Sequence, residues 1–345
     1  MRIALDATYS IGANLSGVGV YSKELMYGLA RAHGDAVFHY CYRPHRFFRS
    51  FSESIPPNCR RRPLGFPDTC RLFHGLNQRL PSVPWLRRAV STFHDLFVMT
   101  GDYSTPDFRA RFTAQARDAA TRSDHIIAVS AFTARQVEEL LGVEPARITV
   151  IHHGIRSMSS APPAARASGR EKVILHVGAI QRRKNLARLV AAFEQSGLEE
   201  WRLVLAGSAG FGSAEILRRI EESPRRAWIE VTGYLTDSSL ADWFARAAIF
   251  AFPSLDEGFG IPLLEAMSAR VPIVTSSRSA LPEVAGDAAL LVDPEDTAAL
   301  AEAIRGLAVD SELREMLIEK GVRRVAEFTW EGAVAKTWDV YRKAG

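Results

Sequence analysis

The stretch that decides the fold is Phe252-Pro-Ser-Leu-Asp-Glu257-Gly-Phe-Gly-Ile-Pro-Leu-Leu-Glu265-Ala-Met. An apolar run ends at Phe252, and a segment typical of a helix, with proline in its first turn, follows from Pro262. The stretch therefore predicts a strand, a glycine-rich turn and a helix. In a parallel sheet this order places Glu257 in the crevice beyond the carboxyl end of the strand, where open α/β sheets bind ligands.

The same stretch combines carboxylates with an anion site, because the exposed amides of a helix N-terminus attract negative charge. Such a site fits a ligand with hydroxyls at one end and phosphate at the other, and a nucleotide sugar is one. Besides Glu257 and Glu265, the candidate contacts are Gly258, Phe259, Gly260, Ile261, Pro262 and Leu263. A glycosidase-type pair of acid and base is disfavoured, because cations for a diphosphate are predicted at the same site.

Length and composition indicate a globular protein of two domains. The chain has 345 residues, of which 47% are hydrophobic and 24% charged, and no apolar run approaches the roughly 20 residues of a membrane span. The start, Met1-Arg-Ile-Ala-Leu-Asp6, lacks a secretory signal, so we expect a cytoplasmic protein. Three cysteines without a C-x-x-C pair disfavour a disulfide framework and a zinc site.

The net charge of +4 reflects an excess of arginine in the first half of the chain. Arginine and phenylalanine alternate in one cluster and arginine repeats in the next: Arg43, Arg46, Phe47, Phe48, Arg49 and Phe51, then Arg60, Arg61 and Arg62. These residues could bind an anionic membrane surface, a phosphate-bearing acceptor or nucleic acid, and the alternative is a solvated loop. Recurrent prolines between residues 44 and 67 predict a long surface excursion here.

The first half otherwise predicts a wound parallel sheet. A strand over residues 1–7 leads to the loop Gly17-Val18-Gly19 and to a helix from about Val20. The loop could bring its amides to a phosphate or a sugar, or it could be a plain tight turn. The third glycine of a dinucleotide fingerprint and its acidic ribose ligand are missing, which disfavours a nicotinamide-dependent oxidoreductase.

Histidines end two of the apolar runs in this half. His74 ends one run, and His94, followed by Asp95, ends the next. Strand ends face the ligand in a doubly wound sheet, so His94 and Asp95 are candidates to contact a substrate hydroxyl. The alternative is a histidine whose hydrogen bonds are satisfied within the fold, and we favour that interpretation for His74.

The second half predicts another wound sheet with cations at its first turn. A strand ending at Gly178 leads into Gln181-Arg182-Arg183-Lys184-Asn185, which opens a helix. Cations are unfavourable at a helix N-terminus unless they hold an anion, so Arg183 and Lys184 are predicted to bind a diphosphate. Further candidate contacts at the strand ends are Gly178, Ser208, Gly233, Tyr234 and Leu235.

Composition also divides the chain. A segment rich in small residues and proline predicts a linker at 157–170, between a first domain at 1–156 and a second at 171–325. Apolar residues at helical spacing predict a C-terminal packing helix within 326–345.

Together these motifs resemble the retaining glycosyltransferases with the GT-B fold, in which two Rossmann-like domains of doubly wound parallel sheet face a cleft. Residues Glu257 to Glu265 resemble the family's Glu-x7-Glu motif, and the other motifs occur in the expected order. The resemblance implies that Glu257 holds hydroxyls of the donor sugar and Glu265 the ribose. It implies that Arg183 and Lys184 bind the diphosphate and that the C-terminal helix crosses back to the first domain. Many members carry arginine where this chain has Ala179, a departure that bears on the phosphate role of Arg182 or Arg183.

A narrower resemblance concerns the two histidine strand ends. Phe73-His74-Gly75-Leu-Asn77 and Phe93-His94-Asp95-Leu are similar to members that build bacterial surface polysaccharides, several of them mannosyltransferases. The implied activity is hexosyl transfer from a nucleotide sugar to a saccharide or lipid-linked acceptor by front-face attack. GDP-mannose is the favoured donor, followed by a UDP-sugar. In this interpretation Glu257, Lys184, Arg183 and His94 carry the chemistry.

We expect no metal and no cofactor, because the chain lacks an Asp-x-Asp where a metal-dependent transferase would use one. The expected partners are the donor, the acceptor and, through the basic first domain, the anionic inner face of the cell membrane, with no nucleic acid. The alternatives are a nucleotide-sugar epimerase of the same fold and a non-catalytic protein that binds sugar nucleotides.

Overall fold

The computed structural model describes residues 1–12, 15–65, 69–83, 86–155 and 169–344. The chain divides into two compact units, one formed by Met1–Gly154 with Phe328–Gly345 and the other by Ile155–Glu327. The last helix thus belongs to the first unit. The predicted linker lies outside the described residues except for residues 169 and 170.

The first unit is built on a parallel sheet. Strands β1–β7 span Arg2–Asp6, Val37–Tyr42, Cys59–Pro63, Leu72–Gly75, Arg88–Phe93, His125–Ala128 and Ile148–Val150. Helices α1–α5 span Gly17–Ala32, Pro44–Phe47, Phe97–Thr100, Pro106–Arg122 and Ala131–Leu141. The described strands are ordered β3-β2-β1-β4-β5-β6-β7, and every pair is parallel. Their side chains are mostly apolar and buried, as expected for strands covered on both faces.

The segment after β2 differs from the predicted surface excursion. It contains α2, a 3-10 turn over Phe48–Ser52 and then β3, which pairs in parallel with β2 at the edge of the sheet. Arg60, Arg61 and Arg62 therefore lie on an edge strand. The prediction was wrong because edge strands carry charged side chains, so the apolar alternation that signals a strand is absent here.

The loop at Gly17-Val18-Gly19 is also different from the prediction, because α1 begins at Gly17 rather than near Val20. The Ser16 hydroxyl accepts a hydrogen bond from the Gly19 amide at 3.3 Å and caps the helix. A Cβ on Gly19 would lie 2.7 Å from the Tyr9 carbonyl oxygen, so glycine permits this close approach. The two glycines form the first turn of the helix.

The second unit repeats the architecture. Strands β8–β13 span Glu171–Val177, Arg202–Ala206, Ile229–Gly233, Ala247–Phe252, Ile273–Ser276 and Leu290–Val292. Helices α6–α12 span Leu186–Gln195, Ser213–Glu221, Asp237–Arg246, Ile261–Ser268, Leu281–Ala285, Thr297–Val309 and Ser311–Val325, and α13 of the first unit spans Trp330–Ala344. The described strands are ordered β10-β9-β8-β11-β12-β13, all parallel. Because β8 and β11 are neighbours, the turns that follow them lie side by side.

Helix α13 packs against α1 within the first unit. A Cβ on Gly28 would lie 2.6 Å from Val334 Cγ2, so the two helices approach closely at a glycine. The buried Tyr341 hydroxyl lies 2.6 Å from His74 Nδ1, while His74 Nε2 lies 2.8 Å from Thr92 Oγ1. The interpretation of His74 as a structural histidine is confirmed.

Candidate active site

The Glu257 turn lies between β11 and α9 at the carboxyl edge of the second sheet. The prediction of strand, turn and helix is confirmed, and the turn residues are buried apart from the half-buried Leu255. Gly260 has φ 103° at the N-terminus of α9, and a Cβ there would lie 2.7 Å from Leu281 Cδ2. The turn is therefore closely packed and its backbone requires glycine at this position.

Glu257 forms ion pairs with both predicted diphosphate ligands. Its Oε2 lies 2.7 Å from Arg183 Nη1 and its Oε1 lies 2.5 Å from Lys184 Nζ. The exposed fractions of the three side chains are 10%, 9% and 9%. Arg183 Nη1 also donates to the Asp256 carbonyl oxygen. We call Glu257, Arg183 and Lys184 the ion triad; it brings together residues that the sequence placed in two separate motifs.

The ion triad has a net positive charge even though Glu257 stays ionised. Burial by itself would raise the pKa of Glu257, but the charges of Arg183 and Lys184 and their hydrogen bonds outweigh burial and lower that pKa to about 2. Two cations then share one carboxylate. An arginine carries five N–H donors and a lysine three, so the pair can contact Glu257 and an anionic ligand together.

We expect the ion triad to make the protein sensitive to acid. The pKa of Glu257 is lowered in the folded state, so its contribution is fully present above about pH 4.5 and is lost as the pH falls towards about 2. A shift of this size corresponds to a contribution on the order of 3 kcal/mol. Urea unfolding of the wild type and of Glu257→Gln at several pH values between about 5 and 3 measures it. The difference in unfolding free energy should shrink on acidification; a constant difference would contradict the assignment.

The cationic turn is held in place by hydrogen bonds from the Asn185 side chain and by a backbone hydrogen bond to the Glu257 turn. Arg182–Lys184 forms a 3-10 turn, and Asn185 follows with φ 60°. The Asn185 side-chain amide donates to the carbonyl oxygens of Pro253 at 3.1 Å and Pro294 at 2.7 Å. The Leu255 amide donates to the Arg183 carbonyl oxygen at 2.9 Å. Asn185 is thus a positioning residue that sequence reasoning did not identify, although its place after the cationic run was visible.

Gly178 lies next to the stem of Lys184. It has φ 150°, and a Cβ there would lie 3.1 Å from Lys184 Cε. The predicted strand-end contacts nearby are more exposed: the side chain of Ser208 is exposed, and its carbonyl oxygen accepts from the Ile180 amide at 2.8 Å. Gly233 ends β10 beside Gly207, and Tyr234, 51% exposed, follows it. These residues share the carboxyl edge of the sheet with the ion triad.

The remaining candidates of the stretch lie in the turn before helix α9 and in α9 itself. Glu265 is half-buried in the second turn of the helix. Gly258, Phe259, Gly260 and Leu263 are buried, whereas Ile261 and Pro262 are half-buried. Their contacts with a ligand stay a prediction. Within the described ranges, no group of three His, Cys, Asp or Glu side chains is arranged to hold a metal ion.

His94 follows β5 in the first unit and has a defined tautomer. Its Nε2 lies 2.9 Å from the Leu76 carbonyl oxygen, which can only accept, so Nε2 carries the proton. Burial lowers the pKa of His94 to about 4, so the ring is neutral and Nδ1 is an acceptor. The ring stacks on His153 with centroids 5.5 Å apart and meets the edge of Tyr21. Asp95 beside it is half-buried.

Two family models match the chain. The model described as Glycosyl transferases group 1 matches residues 160–324, and the model described as Glycosyltransferase Family 4 matches residues 71–157. O-antigen chain mannosyltransferase B of Escherichia coli is 31% identical over 283 residues, which cover 79% of this chain and 74% of that relative. Serotype-specific mannosyltransferase WbdA of Escherichia coli is 27% identical over 268 residues, 72% of this chain but only 32% of the relative.

A solved structure agrees over nearly the full length. Sucrose-phosphate synthase (tll1590) from Thermosynechococcus elongatus matches with a TM-score of 0.77 and 22% identity, covering 99% of this chain and 98% of that chain. The prediction of the GT-B fold, with two α/β units of parallel sheet, is confirmed. The fold and the family matches define a glycosyltransferase. The chain belongs to the group 1 and family 4 glycosyltransferases, which confirms the family that the motifs resembled.

Proposed function

We propose that the protein is a retaining hexosyltransferase that moves a hexose from a nucleotide sugar to a saccharide or lipid-linked acceptor. GDP-mannose is the favoured donor, and a UDP-sugar is the second choice. Its product would belong to a cell-surface polysaccharide. The ion triad carries this proposal, because it joins a carboxylate suited to sugar hydroxyls with two cations suited to a diphosphate. The choice of mannose is supported by the names of the two relatives, both mannosyltransferases.

The electrostatics of the ion triad suit a departing nucleoside diphosphate. Negative charge develops on the phosphate oxygens as the bond to the sugar breaks, and fixed cations in a buried site stabilise that charge strongly. In this proposal Lys184 and Arg183 hold the diphosphate, and Glu257 accepts hydrogen bonds from sugar hydroxyls. Glu265 holds the ribose. No metal ion is then needed.

The proposed step is front-face attack. The acceptor oxygen bonds to the anomeric carbon while the bond from that carbon to the phosphate oxygen breaks. The acceptor hydroxyl proton passes to the leaving phosphate oxygen, so no protein base is required. His94 orients the sugar, because Nδ1 of its neutral ring can only accept a hydrogen bond from a hydroxyl.

A transfer assay tests this function. The protein is incubated with GDP-mannose or UDP-sugars, with and without a saccharide acceptor and EDTA, and the product is analysed by NMR. We expect nucleoside diphosphate release that depends on the acceptor, survives EDTA and preserves the anomeric configuration. An inverted product would overturn the retaining mechanism. Conversion of the donor sugar to its epimer in the absence of acceptor would indicate an epimerase. Donor binding without release of nucleoside diphosphate would indicate a binding protein.

The segment after β2 supports peripheral contact with an anionic membrane. Phe47, Phe48 and Phe51 form an aromatic patch with ring centroids 5.5 to 5.7 Å apart, and Phe48 and Phe51 are 81% and 61% exposed. The exposed arginines around the segment are Arg49, Arg60 and Arg62. No helix in the described parts of the chain combines the length and the apolar character that crossing a bilayer requires. We therefore propose surface binding at the cytoplasmic face, with aromatic rings in the interface and arginines at the headgroups.

Replacing Phe48 and Phe51 together by serine should weaken binding to vesicles of anionic lipid by at least about tenfold, since each ring loses its burial in the interface. Sedimentation with vesicles measures the affinity, and transfer to a water-soluble acceptor should be unchanged. Val309→Ser removes an apolar side chain that is 73% exposed on α11 and serves as the control. Equal vesicle binding by wild type and double variant would leave the solvated segment as the better interpretation.

A further inference from the structure

His176 is a fully buried histidine of β8 next to the ion triad, and the proposed reaction does not use it. Its ring stacks on Phe252 with centroids 5.4 Å apart and an interplanar angle of 16°. Its Nδ1 lies 3.0 Å from the Ala251 carbonyl oxygen. The ring is therefore fixed in position and in plane by β11.

The tautomer of His176 is fixed as well. A carbonyl oxygen can only accept, so Nδ1 carries the hydrogen and Nε2 carries a lone pair. Burial, and next the charge of Lys184, lower the pKa of His176 to about 3, so the ring stays neutral. Nε2 has no hydrogen-bond partner among the residues that the structure describes. A buried acceptor without a partner calls for an explanation.

Nε2 and the Lys184 ammonium lie close to the same point. A Cβ built on Gly178 would lie 3.4 Å from His176 Nε2 and 3.5 Å from Lys184 Nζ. The ammonium also lies 4.6 Å from the centroid of the Phe252 ring on which His176 stacks. Lys184 thus has a carboxylate, an aromatic face and the imidazole Nε2 in its neighbourhood.

The ion triad presents a conflict that this arrangement resolves. Lys184 is bonded to Glu257, yet the proposed function requires Glu257 to accept hydrogen bonds from the sugar while Lys184 stays at the diphosphate. We propose that His176 is a positioning residue for Lys184. When sugar hydroxyls bind to Glu257, the Nε2 atom of His176 accepts a hydrogen bond from the Lys184 ammonium. This rests on the proposed roles of Glu257 and Lys184. No covalent bond changes, and one ammonium hydrogen exchanges its acceptor.

This proposal predicts that His176 matters for the nucleotide sugar and not for the nucleoside diphosphate alone. With GDP bound, Glu257 still holds Lys184, so the second acceptor is not used. His176→Phe keeps an aromatic ring against Phe252 and removes the nitrogen. His176→Gln can offer a carbonyl oxygen in its place. Ile220→Ala, in the core of the same unit on α7, controls for a loosened core.

Calorimetry without acceptor measures the affinities for GDP and GDP-mannose, and for UDP and UDP-glucose. We expect His176→Phe to lower the affinity for the nucleotide sugar at least about tenfold and the affinity for the nucleoside diphosphate less than about threefold. His176→Gln should retain most of the wild-type affinity. Equal losses for both ligands, as expected from Ile220→Ala, or no loss at all, would overturn the proposal. These binding measurements do not depend on transfer. A wild type that binds the ligands but transfers no sugar would refute the proposed function, and the affinities would still test the role of His176.

Discussion

Glu257→Gln is expected to lower the kcat of transfer by at least about a hundredfold, roughly 2.7 kcal/mol of transition-state stabilisation, while binding a free nucleoside diphosphate as tightly as the wild type or more tightly. The amide keeps the shape of the side chain but removes the charge that accepts the sugar hydroxyls. It also releases Arg183 and Lys184 from their shared carboxylate. The two cations then have more of their charge available to phosphate.

The same variant should lose stability when unliganded. Removing one partner of a buried ion pair leaves uncompensated charge, which typically costs about 3–5 kcal/mol. A nucleoside diphosphate restores the balance of charge, so it should raise the Tm of Glu257→Gln more than that of the wild type. Thermal shift with GDP and UDP, with and without the sugar, measures both effects.

Glu295→Gln is the matched control, since Glu295 pairs with Arg278 at 2.6 Å but is half exposed. It should change neither turnover nor the thermal shift, because exposed ion pairs contribute little. Turnover by Glu257→Gln above about a tenth of the wild-type value, a barrier change of less than about 1.4 kcal/mol, would remove Glu257 from the chemistry.

Lys184→Ala is expected to have the second large effect on transfer. It should weaken diphosphate binding, whereas Glu257→Gln should leave that binding unchanged or strengthen it. We expect kcat/KM to fall at least about a hundredfold and the affinity for GDP or UDP at least about tenfold, because a cation at the leaving group is lost. The Glu257 and Lys184 variants together separate sugar recognition from diphosphate recognition. Steady-state kinetics and calorimetry on the same preparations measure them.

Lys172→Ala controls for the loss of a lysine in the same unit. Lys172 pairs with Glu200 at 2.6 Å, and both side chains are more than half exposed. Its replacement should leave kinetics and diphosphate affinity unchanged. If Lys184→Ala binds GDP and UDP as well as Lys172→Ala does, the cationic turn is not the diphosphate site.

The local part of the site could be predicted from the sequence. Strand, glycine-rich turn and helix follow one another around Glu257, so the order of residue types identifies the element and its ligand-facing end. Recurrence of this unit indicated two wound sheets, and the family resemblance implied the GT-B fold. The role of His74 could be predicted too, because a histidine within an apolar run needs partners inside the fold.

The sequence placed the cations and Glu257 at one site, but their ion pairs could not be predicted, because these depend on the order of strands in the sheet. Lys184 and Glu257 lie 73 residues apart, and they meet only because β8 and β11 are neighbours. The sequence indicated two wound sheets without indicating this order. Strand β3 was missed for another reason, since its side chains are those of a charged sheet edge and not of a buried strand.

Helix α13 has a consequence for the order in which the chain can fold during synthesis. Tyr341 and Val334 belong to the core of the first unit, and Tyr341 is 267 residues from its partner His74. A ribosome must therefore make all of residues 155–327 before the first unit receives its last helix. The second unit can complete its own core earlier, because its elements are contiguous in the chain. The unit whose synthesis starts first thus receives its last element after the other unit is fully synthesised.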